Sequence, residues 1–162
     1  MVPRNGDDRV QTPDALARAV VDRFLPCGGI VEPSAGNGAF LRALPKGAEW
    51  YEIEKGKDFL KAAGHWDWAV GNPPLSRFRD FLRKAMEVAE NVVFIALAPA
   101  WFVRAHQEDM RQARFALVEL CALPTPPDWP QCGIELTAAR ARRCRRGGMA
   151  HTRLHEELPR GA

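Results

Sequence analysis

The stretch that decides the fold is Ile30-Val31-Glu32-Pro33-Ser34-Ala35-Gly36-Asn37-Gly38-Ala39-Phe40-Leu41. Ile30 and Val31 close a short apolar run, which signals a β-strand. Glu32 stands at its end. Pro33 to Gly38 is a tight loop of small residues, and Ala39 to Leu44 begins a helix. A strand, a glycine loop and a helix N-terminus together bring backbone N–H groups close to a ligand.

The loop departs from two common nucleotide sites. A dinucleotide fingerprint has a third glycine three residues after the second, where this chain has Leu41, and no Gly-Lys-Ser/Thr of a P-loop follows. Glu32 would repel a pyrophosphate and suits a ligand with a positive amine. The stretch resembles the S-adenosylmethionine (SAM) loop of Rossmann-like methyltransferases. That resemblance implies that Glu32 faces the methionine amine of SAM, with Pro33, Ser34, Ala35, Gly36 and Gly38 letting the backbone approach the cofactor.

Outward from this loop, the chain has 162 residues, of which 46% are hydrophobic and 27% charged, as in one soluble globular domain. No apolar run reaches the length of a membrane span, and the first residues lack the apolar core of a signal peptide, so a cytoplasmic protein is expected. Cys27, Cys121, Cys132 and Cys144 form no C-x-x-C pair. His151 and His155 have zinc-finger spacing, but Cys132 and Cys144 lie too far apart for that pattern, and reduced thiols are the simpler reading. The formal net charge is +3, and the excess is local, at Arg140, Arg142, Arg143, Arg145 and Arg146. Such a cluster either contacts phosphates or forms a solvated helix face.

Residues 1–11 read as a loose N-terminus. Thr12-Pro13-Asp14 predicts a helix start, with Thr12 as N-cap and Pro13 in the first position. Leu16, Val20 and Phe24 form its apolar face. After the loop, Glu49 to Ile53 reads as a second strand. An acid at the end of that strand in a doubly wound sheet can bind ribose hydroxyls, which points to Glu52, with Ile53 beside the adenine ring and Glu54 as competitor. Trp66 to Gly71 is an apolar strand running into Asn72-Pro73-Pro74-Leu75. Two prolines cannot extend a central strand, so the chain must turn there, at the sheet edge where ligands bind. Phe78 to Glu90 is an amphipathic helix and Val92 to Leu97 a fully apolar strand. His106 to Ala113 reads as a helix, Phe115 to Leu123 as a further strand, and Ile134 to Arg146 as a basic helix after a proline-rich loop. The expected architecture is an α/β doubly wound, mostly parallel sheet in a methyltransferase domain of residues 12–123, followed by a proline-rich and basic segment, 124–162.

The order of these motifs across residues 12–102 is similar to that of adenine-specific amino-methyltransferases. In that family a T-P-x-x-L-A helix packs on the cofactor, as Thr12 and Pro13 would here. The resemblance also implies that Asp58 accepts a hydrogen bond from the cofactor adenine, with Phe59 packed nearby. The N-P-P-Y motif corresponds to Asn72, Pro73, Pro74 and Leu75. The Asn72 side-chain oxygen and the Pro73 carbonyl would accept from the target amine, and Asn72 would also border the cofactor. Leu75 departs from the family's aromatic, so Phe78, Trp101 or Phe102 is a substitute for stacking the base. SAM is the implied cofactor, DNA the implied substrate, and a separate specificity subunit a partner; no metal or membrane is implied. RNA or a protein glutamine amide is the alternative substrate, and a degenerate SAM-binding module the alternative role.

Overall fold

In a computed structural model of the chain, residues 10–144 are described. Helix α1 (Asp14–Phe24) leads to strand β1 (Ile30–Glu32), then α2 (Ala39–Ala43) and β2 (Glu49–Trp50). Next come β3 (Trp66–Gly71), α3 (Phe78–Val88), β4 (Ala89–Leu97), α4 (Arg104–Gln112), β5 (Phe115–Leu123) and β6 (Leu136–Arg143). Among the described residues, six strands form one sheet in the order β2-β1-β3-β4-β6-β5. Strands β1 to β4 pair in parallel, and β6 runs antiparallel to both its neighbours, β4 and β5.

Alternation along the central strands divides the core in two. Val92, Phe94 and Ala96 of β4 face Phe78, Phe81, Leu82 and Met86 of α3, while Val93 and Ile95 face Leu16, Val20 and Phe24 of α1. All five β4 residues are at most 1% exposed, as in a strand covered by helices on both faces. The doubly wound, mostly parallel architecture expected from the sequence is therefore the observed one.

Three local expectations are corrected. Helix α1 starts one residue late: Pro13 occupies the N-cap position, and no side chain caps the helix. Thr12 is thereby released from capping. The second strand stops at Trp50, and Ile53–Lys55 forms a 3₁₀ turn that Glu52 caps by accepting from the Glu54 N–H. The largest difference lies in residues 136–143, expected as part of a basic helix over 134–146 and found as strand β6. Ala138, Ala139 and Ala141 are wholly buried there, because β6 is clasped between two strands and small side chains fit beneath the helices on either face. Residues 136–143 thus belong to the sheet, which extends beyond the boundary drawn at residue 123.

Truncation after Leu123 would remove β6, leave the β4 edge open and strip β5 of the strand it pairs with. Such a chain is expected to lose its cooperative unfolding transition in urea, monitored by tryptophan fluorescence. Retention of a transition with the wild-type slope would contradict this account of the sheet.

Candidate functional site

The carboxyl ends of β1 and β3 lie side by side and open into a cavity of about 600 Å³. Gly71 permits the approach: a Cβ at that position would stand 3.3 Å from Cδ of Pro33. The loop after β1 is anchored from several sides. Ala35 N–H donates to the Tyr51 carbonyl (2.9 Å) and Tyr51 N–H to the Glu32 carbonyl (2.9 Å). Gly36 N–H donates to Oε2 of Glu52 (2.6 Å) and Gly38 N–H closes the turn on the Ala35 carbonyl (2.7 Å). Gly38 has φ +83°, a left-handed conformation that glycine adopts without a Cβ penalty. Arg42 of α2 holds the loop through the Asn37 carbonyl (2.7 Å) and reaches Asp14 of α1 (2.6 Å), whose carboxyl it holds below its usual pKa.

Glu32 sits on the floor of this cavity. It is 1% exposed, and its Oε2 has no hydrogen-bond partner. Burial pushes its pKa up to about 8; the Glu52 charge also raises it, while a Leu41 backbone N–H and the Arg42 charge pull it down. A buried carboxyl with an orphaned oxygen has a standing demand for a donor, and a cationic one satisfies it best.

Asn72 lies beside the β1 loop, gripped at two points. Ser34 Oγ donates to its backbone carbonyl (3.1 Å), and its Nδ2 donates to Oγ1 of Thr12 (3.2 Å). Thr12, Glu32, Pro33, Ser34, Ala35, Gly36, Glu52, Ile53, Asp58, Phe59, Asn72 and Pro74 all line this one cavity. Pro13, Gly38, Pro73 and Leu75 adjoin lining residues in sequence but are not themselves in the wall. Glu52 uses one oxygen on Gly36 and the other on Glu54, so part of its role is to hold the glycine loop. Asp58 caps a turn through the Leu60 N–H (3.0 Å). Phe59 is core, with its ring stacked on Phe81 at 5.8 Å, whereas Ile53 is 64% exposed.

The structure adds wall residues that carried no motif. Gln11 accepts from the Asn37 N–H (2.9 Å), and its carbonyl accepts from Nε1 of Trp129 (3.0 Å). Lys55, Lys57, Arg77 and Phe81 also border the cavity. The Thr-Pro stretch beside Gln11 was the one sequence signal near the first of these; the others depend on folding to reach the site.

Of the arginine cluster, Arg140, Arg142 and Arg143 lie on strand β6. Arg140 lies over the Trp68 ring at 4.5 Å and donates to Oδ1 of Asn91 (2.7 Å). Arg143 donates to the Met86 carbonyl (2.7 Å) at the end of α3 and to Glu90 (3.1 Å). A strand sends successive side chains to opposite faces, which separates residues that a helix would have gathered. Arg142 is exposed; Arg145 and Arg146 lie outside the described residues. Phe78 and Trp101 are also corrected as base-stacking substitutes: they are 3% and 0% exposed and pack edge to face at 5.1 Å in the core. Phe102 is 60% exposed. Among the described residues no cluster of three His, Cys, Asp or Glu could hold a metal ion. His151 and His155 of the zinc-like spacing lie outside them. No described helix is long and apolar enough to cross a membrane.

No family model matches the sequence, and no curated protein matches it. Solved structures do match in fold. A Pyrococcus horikoshii protein provisionally assigned as an RNA methyltransferase superposes with a TM-score of 0.67 at 19% identity, over 87% of this chain and 90% of the other. The M protein of the type I restriction enzyme EcoKI superposes at 0.63 with 12% identity, over 86% and 45%. Magnesium protoporphyrin IX methyltransferase from Synechocystis, solved with bound SAM, superposes at 0.51 with 14% identity, over 81% and 77%.

The raised pKa of Glu32 has a measurable sign. Its neutral form is favoured in the folded chain, so its contribution to stability is complete below about pH 4.5 and is lost as pH rises through about 8. Glu32→Gln abolishes that loss. Between pH 6 and pH 9 the stability difference is expected to move by about 2–3 kcal/mol in favour of the variant. Urea titrations of both proteins at the two pH values measure it, and parallel stability curves would refute it.

Proposed function

We propose that the chain is a SAM-dependent methyltransferase acting on the exocyclic 6-amino group of adenine in DNA. The observation that carries this reading is that Glu32 and Asn72 line one cavity: a buried acid lacking a donor, and an amide anchored at the carboxyl end of the neighbouring strand. Glu32 fits the methionine ammonium, which would convert the buried carboxyl to its charged form. Glu52 retains a lone pair on each oxygen for ribose hydroxyls, and Ile53 would cover the adenine ring. Gly36 and its neighbours let the backbone pass close to the cofactor. When bound, SAM supplies an electrophilic methyl on a sulfonium.

The protein's own part is positioning. The lone pair of an aromatic amine is delocalised into the ring and is a poor nucleophile. Oδ1 of Asn72 and the Pro73 carbonyl, each accepting one N–H, would draw the amine toward tetrahedral geometry and aim its lone pair at the methyl. No strong base is required before transfer, since the product sheds its proton afterwards. Alignment supplies the bulk of the acceleration.

Leu75 bears on the form of the DNA. It is 36% exposed and offers contact without a π-face. Extruding a base from a duplex costs a few kcal/mol, which stacking normally offsets by about 1–3 kcal/mol. A single-stranded or unpaired target avoids that cost, so we assign single-stranded DNA as the better substrate. RNA is the second reading, favoured by the unpaired-base preference and by the likeness to the archaeal protein.

Labelled-methyl transfer to adenine-containing single strands, duplexes and RNA tests the proposal directly. Asn72→Ala is expected to abolish transfer while calorimetry shows SAM binding intact; full activity in that variant would overturn the assignment. Leu75→Tyr should raise turnover on duplex DNA by about one to two orders of magnitude. An inert Leu75→Tyr coupled with a collapsed Phe102→Ala would move the stacking role to Phe102. Gly38→Val forces a branched residue into φ +83°, and SAM affinity is expected to be lost.

A further inference from the structure

A primary amide has two flat orientations that differ by a half turn and exchange its oxygen for its nitrogen. Only one of them offers the target amine an acceptor at Asn72. The other offers an N–H against an N–H. An acceptor there is useful only if the plane of the amide is held, and the side chain hydrogen-bonded to the Asn72 amide is Thr12, sixty positions earlier in the chain.

We propose that Thr12 is a positioning residue for methyl transfer, its hydroxyl holding the plane of the Asn72 amide at the site. The inference rests on the methyltransferase reading and reassigns Thr12 from the cofactor to the catalytic turn. Three observations carry it. Oγ1 of Thr12 accepts from Nδ2 of Asn72 at 3.2 Å, which places Oδ1 on the opposite side of the amide. Thr12 is only 8% exposed, and its hydroxyl has been relieved of helix capping because Pro13 takes the N-cap position. The backbone on either side is pinned: the Gln11 carbonyl accepts from Trp129 Nε1, the Gln11 side chain from Asn37 N–H, and the Pro13 carbonyl from the N–H groups of Leu16 and Ala17. The hydroxyl is thus held by a clamped segment. Ser34 fixes the Asn72 backbone through its carbonyl, so the side-chain torsion is the freedom left for Thr12 to remove.

The test compares Thr12→Val, which keeps the shape and loses the hydroxyl, with Thr12→Ser, which keeps the hydroxyl. The ¹⁵N–¹H spectrum of the free protein reports the Asn72 side-chain amide, calorimetry reports SAM affinity, and labelled-methyl transfer to an adenine-containing single strand reports turnover. In Thr12→Val the Asn72 amide signals are expected to shift, and kcat to fall about ten- to a hundredfold, with SAM Kd within about twofold of wild type. Thr12→Ser is expected to restore both. The proposal is overturned if Thr12→Val leaves the amide signals in place, if kcat is unchanged, or if SAM affinity drops while kcat at saturating SAM holds. If the wild type transfers no methyl to any nucleic acid, the substrate reading falls, and the amide spectrum alone decides whether Thr12 holds Asn72.

Discussion

A carboxyl group sealed from water with one oxygen unpartnered is costly, and Glu32 bears that cost at the centre of the molecule. The surrounding architecture favours the neutral form, with a pKa pushed up to about 8, and flanks it with a hydrogen-bonded loop. The loop after β1 is tied to the end of β2, to the turn after β3, and to Arg42 of α2, which in turn holds Asp14 of α1. Those ties converge on the same few residues, so the site and the fold share their anchoring bonds.

The parallel half of the sheet was legible because its signals are strong and local. Trp68 to Gly71 of β3 and Val92 to Leu97 of β4 are apolar runs with a proline two residues beyond, and the loop at Pro33 to Gly38 has few alternatives to a tight turn between strand and helix. β6 was illegible for an equally physical reason. Leu136 to Arg143 is built largely of alanine and arginine, which rank among the best helix formers. Its strand conformation comes from β4 and β5, whose open edges it satisfies, and no window of sequence contains that information.

The site divides in the same way. Glu32, the glycine loop and Asn72 announce themselves by type and order. Arg77 and Phe81 reach the cavity only through the way the chain folds after β3, and only the Thr-Pro stretch beside Gln11 hints at the place of Gln11. Thr12 illustrates a subtler failure. Threonine before proline before an acid is good capping grammar, yet Pro13 already has the extended backbone of a cap, so the hydroxyl was free to serve elsewhere.

The position of β6 has a consequence for how the molecule comes into being. β4 and β5 are made first, and each lacks its neighbour until the chain has passed the proline-rich stretch and delivered residues 136–143 between them. On a ribosome adding about 5–20 residues each second, the middle of the sheet therefore closes after its flanks have been synthesised. Throughout that interval the most apolar strand of the protein presents a row of unsatisfied amides along one border, the geometry on which intermolecular strands pair. The last of the described strands to emerge is the one that ends the exposure.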